Sequence, residues 1–111
     1  MEKDYKAYLS HIFESIISIE KYTEDMSFEE FEKDKKTIDA VIRNLEIIGE
    51  ASSKLSKEFR ERYPEVPWKS IIGLRNILIH DYLGVDIVAV WGNIKQELPS
   101  LKEQIKSILE H

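Results

Sequence analysis

The chain has 111 residues, 42% of them hydrophobic, a formal net charge of −5 and no cysteine. This length predicts one domain over residues 1–111, and the lack of cysteine excludes disulfides and thiolate metal sites. No uncharged run approaches the roughly 18 apolar residues of a membrane span, so we expect a cytoplasmic protein without a membrane partner. The acidic charge argues against broad capture of nucleic acid but leaves room for a local basic cleft, if Lys69, Arg75 and the equivalent residues of a neighbouring chain converge.

The first half of the chain has the pattern of three helices. Apolar residues at spacings of three and four predict an amphipathic helix over residues 4–23. Residues 27–30 have the capping-box form, so a second helix should begin at Phe28 and should be short or bend at Asp34. Over residues 37–62 the apolar positions approach a heptad seam, which predicts a long third helix that packs against antiparallel neighbours or a second subunit.

The second half predicts two more helices. The prolines at both ends of residues 64–67 indicate an extended connector, and a fourth helix is predicted over residues 68–83. Gly84 fits its carboxy-terminal cap, and Asp86 fits the amino-terminal cap of a fifth helix. Pro99 should bend or divide that last helix. The sequence therefore predicts an all-α, five-helix up-and-down bundle.

The predicted fourth helix gathers most of the unusual chemistry. Arg75, Asn76, His80 and Tyr82 lie among many isoleucines and leucines. At 100° per residue, Arg75 is centred on the apolar face and Tyr82 lies on the same face. Asn76 and His80 are four residues apart and share a narrow polar stripe with Lys69.

A guanidinium on an apolar face needs a partner, because arginine keeps its proton and burial without compensation is unfavourable. One interpretation is an internal ion pair between Arg75 and Asp39, Glu46 or Glu50. His80 would then be a helix histidine whose hydrogen bonds are satisfied and that has no part in chemistry. The other is a phosphate site, because arginine matches phosphate oxygens and histidine can move a proton near neutral pH.

Other polar residues leave alternatives open. Arg43, Asn44 and Glu50 of the third helix either form local pairs or reach the site and support it. His11 lies on the polar side of the first helix without a second ligand at helical spacing, and we expect it to be solvated.

Arginine and histidine favour one class of hydrolysis over the others. The sequence has no HExxH, no phosphate-binding GxxxxGK[ST] loop and no nucleophilic cysteine. Metal-independent RNA cleavage fits, since the 2′-hydroxyl of the substrate can itself be the nucleophile. One histidine is few for this reaction, and two subunits that donate their segments across a two-fold axis would supply both acid and base. The chemistry therefore predicts a homodimer.

The same residues carry a family resemblance. Residues 75–82, RNILIHDY, match the pattern of arginine, four residues, histidine, any residue and tyrosine, and the chain resembles the HepT branch of the HEPN superfamily of toxins. The flanking stretches AVIRNLEIIGEASSKLS at 40–56, YPEVPWKSIIGLRN at 63–76 and YLGVDIVAVWGNIKQELPSL at 82–101 resemble the same branch. The resemblance covers about residues 37–102.

The resemblance implies a fold, an activity and partners. It implies a helical bundle that dimerises around the helix of Arg75 and His80, and a metal-independent endoribonuclease toxin without cofactor in a type VII-like toxin–antitoxin pair. Arg75 and His80 would be the catalytic pair and Asn76 a support. A nucleotidyltransferase antitoxin would attach AMP to Tyr82. The alternatives are a non-catalytic nucleotide-binding or interaction module that binds a minimal nucleotidyltransferase, and a plain helical adaptor.

Overall fold

The computed structural model describes residues 5–73 and 86–110, and helices make up most of both ranges. The first four helices are α1 (Tyr5–Thr23), α2 (Phe28–Lys33), α3 (Lys35–Lys54) and α4 (Lys57–Arg62). The next, α5, is described over residues 68–73. The last, α6, consists of three consecutive pieces: α-helical Ile87–Gly92, π-helical Asn93–Glu97 and α-helical Leu98–Leu109. These two ranges contain no strand, which confirms the all-helical class, and they contain six helices where five are predicted.

The predicted break between α2 and α3 is confirmed at Asp34. Ser27 forms the capping box with Glu30, whose backbone N–H donates to the serine Oγ at 3.1 Å and whose carboxylate accepts the Ser27 N–H at 2.9 Å. The backbone N–H of Asp34 closes α2 by donating to Phe31 O at 3.0 Å, and its carboxylate opens α3 by accepting from Thr37 N at 3.0 Å. Hydrogen bonds from Thr37 hold the pKa of the Asp34 carboxyl below its ordinary value, and the backbone N–H has a larger effect than the hydroxyl.

The prediction of one continuous helix over residues 37–62 is wrong. Leu55 adopts an extended backbone with φ −71° and ψ 139°, which ends α3. Ser56 then accepts the Phe59 N–H at 3.0 Å and starts α4 as a new amino-terminal cap. Leu55 and Phe59 are nevertheless only 3% and 2% exposed, so the apolar pattern continues through the break.

The sequence predicts a bend or a division of α6 at Pro99, and the structure has a π-helical turn immediately before this proline, with helical backbone on both sides. The Leu98 N–H donates to Asn93 O, five residues back, and Pro99 follows in the first turn of the last α-helical piece. Val90, Ile94 and Leu98 are all buried at spacings of four. Residues eight apart in a regular α-helix are rotated by about 80°, and the wider π turn reduces this offset, so all three side chains face the core.

The core lies between α1, α3 and the last piece of α6. Its fully or almost fully buried side chains include Leu9, Ile12, Ile16, Ile19, Val41, Leu45, Ile48, Leu101, Ile105 and Ile108. The Lys102 ammonium lies 3.0 Å from the Glu20 carboxylate and connects α6 to α1, and the Gln104 amide donates to Glu65 O at 3.0 Å and connects α6 to the segment between α4 and α5. None of the helices that the structure describes is long and apolar enough to cross a membrane.

Candidate functional site

The predicted site residues fall in one segment. Arg75, Asn76, His80 and Tyr82 lie in residues 74–85, outside the described residues, and the predicted cap Gly84 lies there with them. The structure does describe both sides of this segment, α5 before it and the start of α6 after it. These flanks fix where the segment begins and ends in the fold.

The chain is anchored immediately before α5. The Trp68 indole N–H donates to Tyr63 O at 3.1 Å, and the Trp68 backbone N–H donates to Val66 O at 2.8 Å. The Pro67 carbonyl then accepts the Ile71 N–H at 3.1 Å, which confirms that α5 begins at Trp68. Val66, Trp68 and Ile71 are each at most 9% exposed, and they fix the first turn of the helix that is predicted to carry the motif.

The chain is anchored again immediately after the segment. The carboxylate of Asp86 accepts the backbone N–H groups of Val88 at 3.0 Å and Ala89 at 3.2 Å, which confirms the predicted cap. Five residues later, the Trp91 ring packs against Phe31 of α2, with ring centroids 4.9 Å apart. The chain that leaves residue 85 is therefore held by a cap and an aromatic contact.

A groove with three positive side chains borders the first turn of α5. We call it the basic groove: Lys57, Arg60 and Lys69 supply its charges, Pro64, Pro67 and Trp68 part of its wall, and its volume is about 670 Å³. Glu61 is the one carboxylate among its described lining residues. None of the three basic residues forms an ion pair with any residue that the structure describes.

A second cleft lies on a different side of the same turn and has the opposite character. It has a volume of about 400 Å³ and is lined by Ser70 and Ile71 of α5 and by Asn93, Gln96 and Glu97 of the π turn. Its described lining includes two carboxylates and no basic residue, so it does not favour an anion. Of these two clefts, only the basic groove suits phosphate.

The polar residues of α3 form local contacts. Arg43 lies 3.6 Å from the Glu46 carboxylate, and the Asn44 amide donates to Ala40 O at 2.9 Å. Glu50 is exposed and lines a shallow groove with His11, which is exposed as predicted. Among the described residues, Arg43 and Asn44 therefore make local contacts, which is one of the two predicted alternatives. A role of these residues in supporting the site stays a prediction.

Sequence reasoning named Lys69 for a positive site but missed Lys57 and Arg60. The signal was present, since basic residues stand on both sides of the proline connector. The apolar pattern obscures this signal, because it predicts that residues 57–62 are the end of one longer helix. Among the described residues, no group of three histidine, aspartate or glutamate side chains could hold a metal ion.

The comparisons with known proteins place the whole arrangement in one family. The family model described as "Ribonuclease HepT-like" matches residues 12–108. The chain belongs to the HepT-like family. The match includes the anchors on both sides of residues 74–85 and all three charges of the basic groove.

Three curated relatives of this HepT-like chain come from archaea. A Methanocaldococcus jannaschii protein named "Gamma-glutamylcyclotransferase and putative RNase" is 50% identical over 99% of this chain. A second protein of that organism, named "Putative RNase", is 44% identical over 96% of the chain, and the "Probable ribonuclease HepT" of Thermococcus cleftensis is 44% identical over 97%. The chain spans 50% of the length of the first relative and 98% of each of the other two. No solved structure matches the chain significantly.

Proposed function

We propose that the protein is a metal-independent endoribonuclease toxin of the HepT kind, acting as a homodimer. The observation that carries the proposal is membership of the HepT-like family over residues 12–108, in a chain whose residues 75–82 hold the arginine, histidine and tyrosine pattern. The ribonuclease names of the relatives support RNA as the substrate.

In this proposal the substrate supplies its own nucleophile. The ribose 2′-oxygen forms a bond to phosphorus while the bond between phosphorus and the 5′-oxygen breaks. His80 of one subunit accepts the 2′-hydroxyl proton, and His80 of the other protonates the leaving 5′-oxygen. Arg75 stabilises the negative charge of the phosphorane, and Asn76, four residues before His80, steadies the imidazole.

Regulation in this proposal uses Tyr82. A nucleotidyltransferase antitoxin catalyses attack of the tyrosine oxygen on the α-phosphorus of ATP, with release of pyrophosphate and of the hydroxyl proton. On the predicted helix Tyr82 shares a face with Arg75. The added phosphate would therefore pair with the Arg75 guanidinium, and its negative charge would repel RNA. Inactivation then needs no refolding.

The catalytic claim is tested with two histidine variants. Purified His80→Ala protein should lose RNA cleavage in the presence of a metal chelator, whereas His11→Ala, which removes an exposed histidine of α1, should cleave like the unmodified protein. Cleavage that persists in His80→Ala would contradict the assignment. Tight binding of a nucleotidyltransferase without RNA cleavage at any protein concentration would instead favour the interaction module.

The modification is tested by intact mass after coexpression with a minimal nucleotidyltransferase. The mass should rise by whole AMP units in the unmodified chain and not in Tyr82→Phe. Tyr22→Phe is the matched control, because Tyr22 is a tyrosine with 47% of its surface exposed. An unchanged mass for the unmodified chain, or an equal gain in Tyr82→Phe, would exclude Tyr82 as the acceptor.

A further inference from the structure

The basic groove holds three cations that no described residue neutralises. Lys57 and Lys69 are exposed, and Arg60 is half-buried. Ordinary surface lysines and arginines often pair with nearby carboxylates, as Lys35 and Asp39 do at 3.1 Å in α3. The only carboxylate that the described lining of the groove supplies is that of Glu61. The groove therefore carries a net positive charge and suits an anionic ligand.

Arg60 adds a directional feature to this charge. Its Nε is buried and has no hydrogen-bond acceptor among the described residues. A buried donor without an acceptor is unfavourable, and the guanidinium cannot lose its proton. The Nε atom is closed to solvent, so a ligand in the groove would meet the terminal N–H groups of Arg60, and arginine presents its N–H groups in a fork that matches two phosphate oxygens.

The wall of the groove is rigid where the charges are placed. Trp68 is 6% exposed, and its indole N–H is already used by the Tyr63 carbonyl, so the ring supports the wall and is not free for stacking. Pro64 and Pro67 restrict the connector on either side. The backbone that carries the charges therefore needs little rearrangement when a ligand binds, and the entropy cost of binding is confined to the exposed lysine and arginine side chains.

The groove continues onto the helix of the predicted motif. Lys69 and Ile72 belong to α5, and the sequence predicts that this helix continues to residue 83. At 1.5 Å per residue, the predicted position of Arg75 is about 9 Å along the helix axis from Lys69. A polyanion in the groove would therefore run towards the proposed catalytic residues.

We infer that the basic groove binds the phosphate backbone of the RNA substrate, through Lys57, Arg60 and Lys69, and directs the strand towards the site proposed on residues 75–82. This inference rests on the proposed function and assigns the substrate-binding surface outside the catalytic residues. A single strand fits better than a protein partner, because the described lining of the groove supplies three cations and one carboxylate, and the successive phosphates of a strand can contact all three cations. The contacts carry no base selectivity, since they recognise phosphate alone.

The test compares two variants that each lose three positive charges. The groove variant carries Lys57→Gln, Arg60→Gln and Lys69→Gln. The control variant carries three substitutions of exposed lysines outside the groove: Lys21→Gln, Lys33→Gln and Lys106→Gln. Binding of a fluorescein-labelled single-stranded RNA is measured by anisotropy over a series of salt concentrations. The His80→Ala background keeps the RNA intact, and cleavage is measured in the native background.

The groove variant should bind the RNA at least about tenfold more weakly than the control variant. Its plot of log K against log salt should be shallower by about 2, since each lost phosphate contact on a single strand removes about 0.7 from the slope. In cleavage, KM should rise while kcat changes little, because the three residues do not contact the reacting bond. The variant Lys57→Arg and Lys69→Arg, which keeps all three positive charges, should match the unmodified protein in both binding and cleavage.

Three results would overturn the inference. Equal RNA affinity of the groove and control variants, with cleavage by the unmodified protein, would show that RNA binds elsewhere while the proposed function stands. Loss of nucleotidyltransferase binding without loss of RNA binding would make the groove a protein-docking surface. An unmodified protein that binds no RNA would contradict both the inference and the proposed function.

One further outcome and one replacement variant separate the inference from the proposed function and from a failure to fold. RNA binding through the groove by an unmodified protein that does not cleave would support the inference and contradict the proposed function alone. If Arg60→Gln prevents folding, as judged by thermal melting, the double variant Lys57→Gln and Lys69→Gln replaces it, with Lys21→Gln and Lys33→Gln as its control.

Discussion

Phe31 connects the short helix α2 to the start of α6, and its substitution gives a quantitative test of how that start is held. The Phe31 side chain is completely buried, and its ring centroid lies 4.9 Å from that of Trp91 with 37° between the ring planes. Trp91 lies five residues after Asp86, where the described chain resumes. We expect Phe31→Leu to weaken this connection without opening the core.

The expected loss follows from what leucine retains. Phe31→Ala would remove the whole side chain and destabilise by about 3–5 kcal/mol, much of the 5–15 kcal/mol that stabilises a typical domain. Leucine keeps most of the apolar contact but not the interaction between rings, which is worth about 0.5–1.5 kcal/mol. With a few lost carbon contacts, Phe31→Leu should reduce the free energy of unfolding by about 1–2 kcal/mol. The melting temperature should fall by about 4 °C per kcal/mol.

A double-mutant cycle with Trp91→Leu isolates the contact between the rings. Trp91→Leu also removes the contact of the ring with Lys95, whose ammonium lies 4.7 Å from the indole centroid, but the cycle cancels that loss. Urea denaturation of both single variants and the double variant should give a coupling of about 0.5–1.5 kcal/mol. Phe59→Leu is the control partner, because Phe59 packs against Tyr5 instead, at 4.8 Å. Additive losses for Phe31 and Trp91 would refute the reasoning.

Three smaller predictions follow from single polar groups. Ser52 is fully buried with a hydroxyl that has no partner among the described residues, so Ser52→Ala should stabilise the fold by about 1 kcal/mol in thermal or urea unfolding. Ser56→Ala removes the cap that accepts the Phe59 N–H and should destabilise by about 1 kcal/mol in the same assay. Asp34 has a folded pKa below the ordinary 3.8, so its contribution to stability is complete above that pH and is lost as pH falls through the lowered pKa. Asp34→Asn keeps an oxygen for the Thr37 N–H and should lose less stability on acidification than the unmodified chain, as measured by thermal melting across acidic pH.

Each of these predictions has a distinct control. Thr23→Val removes a buried hydroxyl that does have an acceptor, Ile19 O at 2.8 Å, so it should destabilise where Ser52→Ala stabilises. A loss of stability in Ser52→Ala would mean that its hydroxyl has a partner in solution. Ser56→Asp should retain the cap and most of the stability. Parallel pH profiles of Asp34→Asn and the unmodified chain would contradict the assigned role of Asp34.

Local capping chemistry was predictable because it depends on a few adjacent residues. Ser27 and Asp86 cap their helices as the sequence predicts, and Asp34 caps α3 at the predicted break, since each side chain reaches only amides two or three positions ahead. The break at Leu55 was not predictable from the apolar pattern, which continues undisturbed into Phe59. The cap at Ser56 was visible but competed with a longer and apparently stronger periodic signal.

The π-helical turn in α6 was not predictable, because it depends on packing against other helices and not on the local sequence. Pro99 removes one backbone donor, and a kink, a tighter turn or a wider turn could each accommodate it. The wider turn occurs because Val90, Ile94 and Leu98 then remain buried together. A sequence shows that a proline is unfavourable inside a helix but not which side chains the neighbouring helices require to face inward.

One part of the candidate site is a local sequence pattern, and the other part is a surface that several elements form together. The arginine, histidine and tyrosine of residues 75–82 are a local pattern, and the sequence alone identifies them. The basic groove is assembled from α4, the proline connector and α5, so only the fold brings Lys57, Arg60 and Lys69 to one surface. Sequence reasoning could name Lys69 because it lies on the predicted motif helix, and it missed the two residues that precede the connector.

The acidic net charge does not oppose an anionic substrate at this surface, because the charge is not evenly distributed along the chain. Residues 24–34 contain six acidic residues and one basic residue, which equals the whole net charge of −5. The remaining 100 residues therefore carry fifteen charges of each sign. Exposed charges separated by more than the screening length, about 8 Å at physiological salt, interact weakly. Local arrangement therefore decides where phosphate can bind, and the described lining of the basic groove has one carboxylate for three cations that form no ion pair with a described residue.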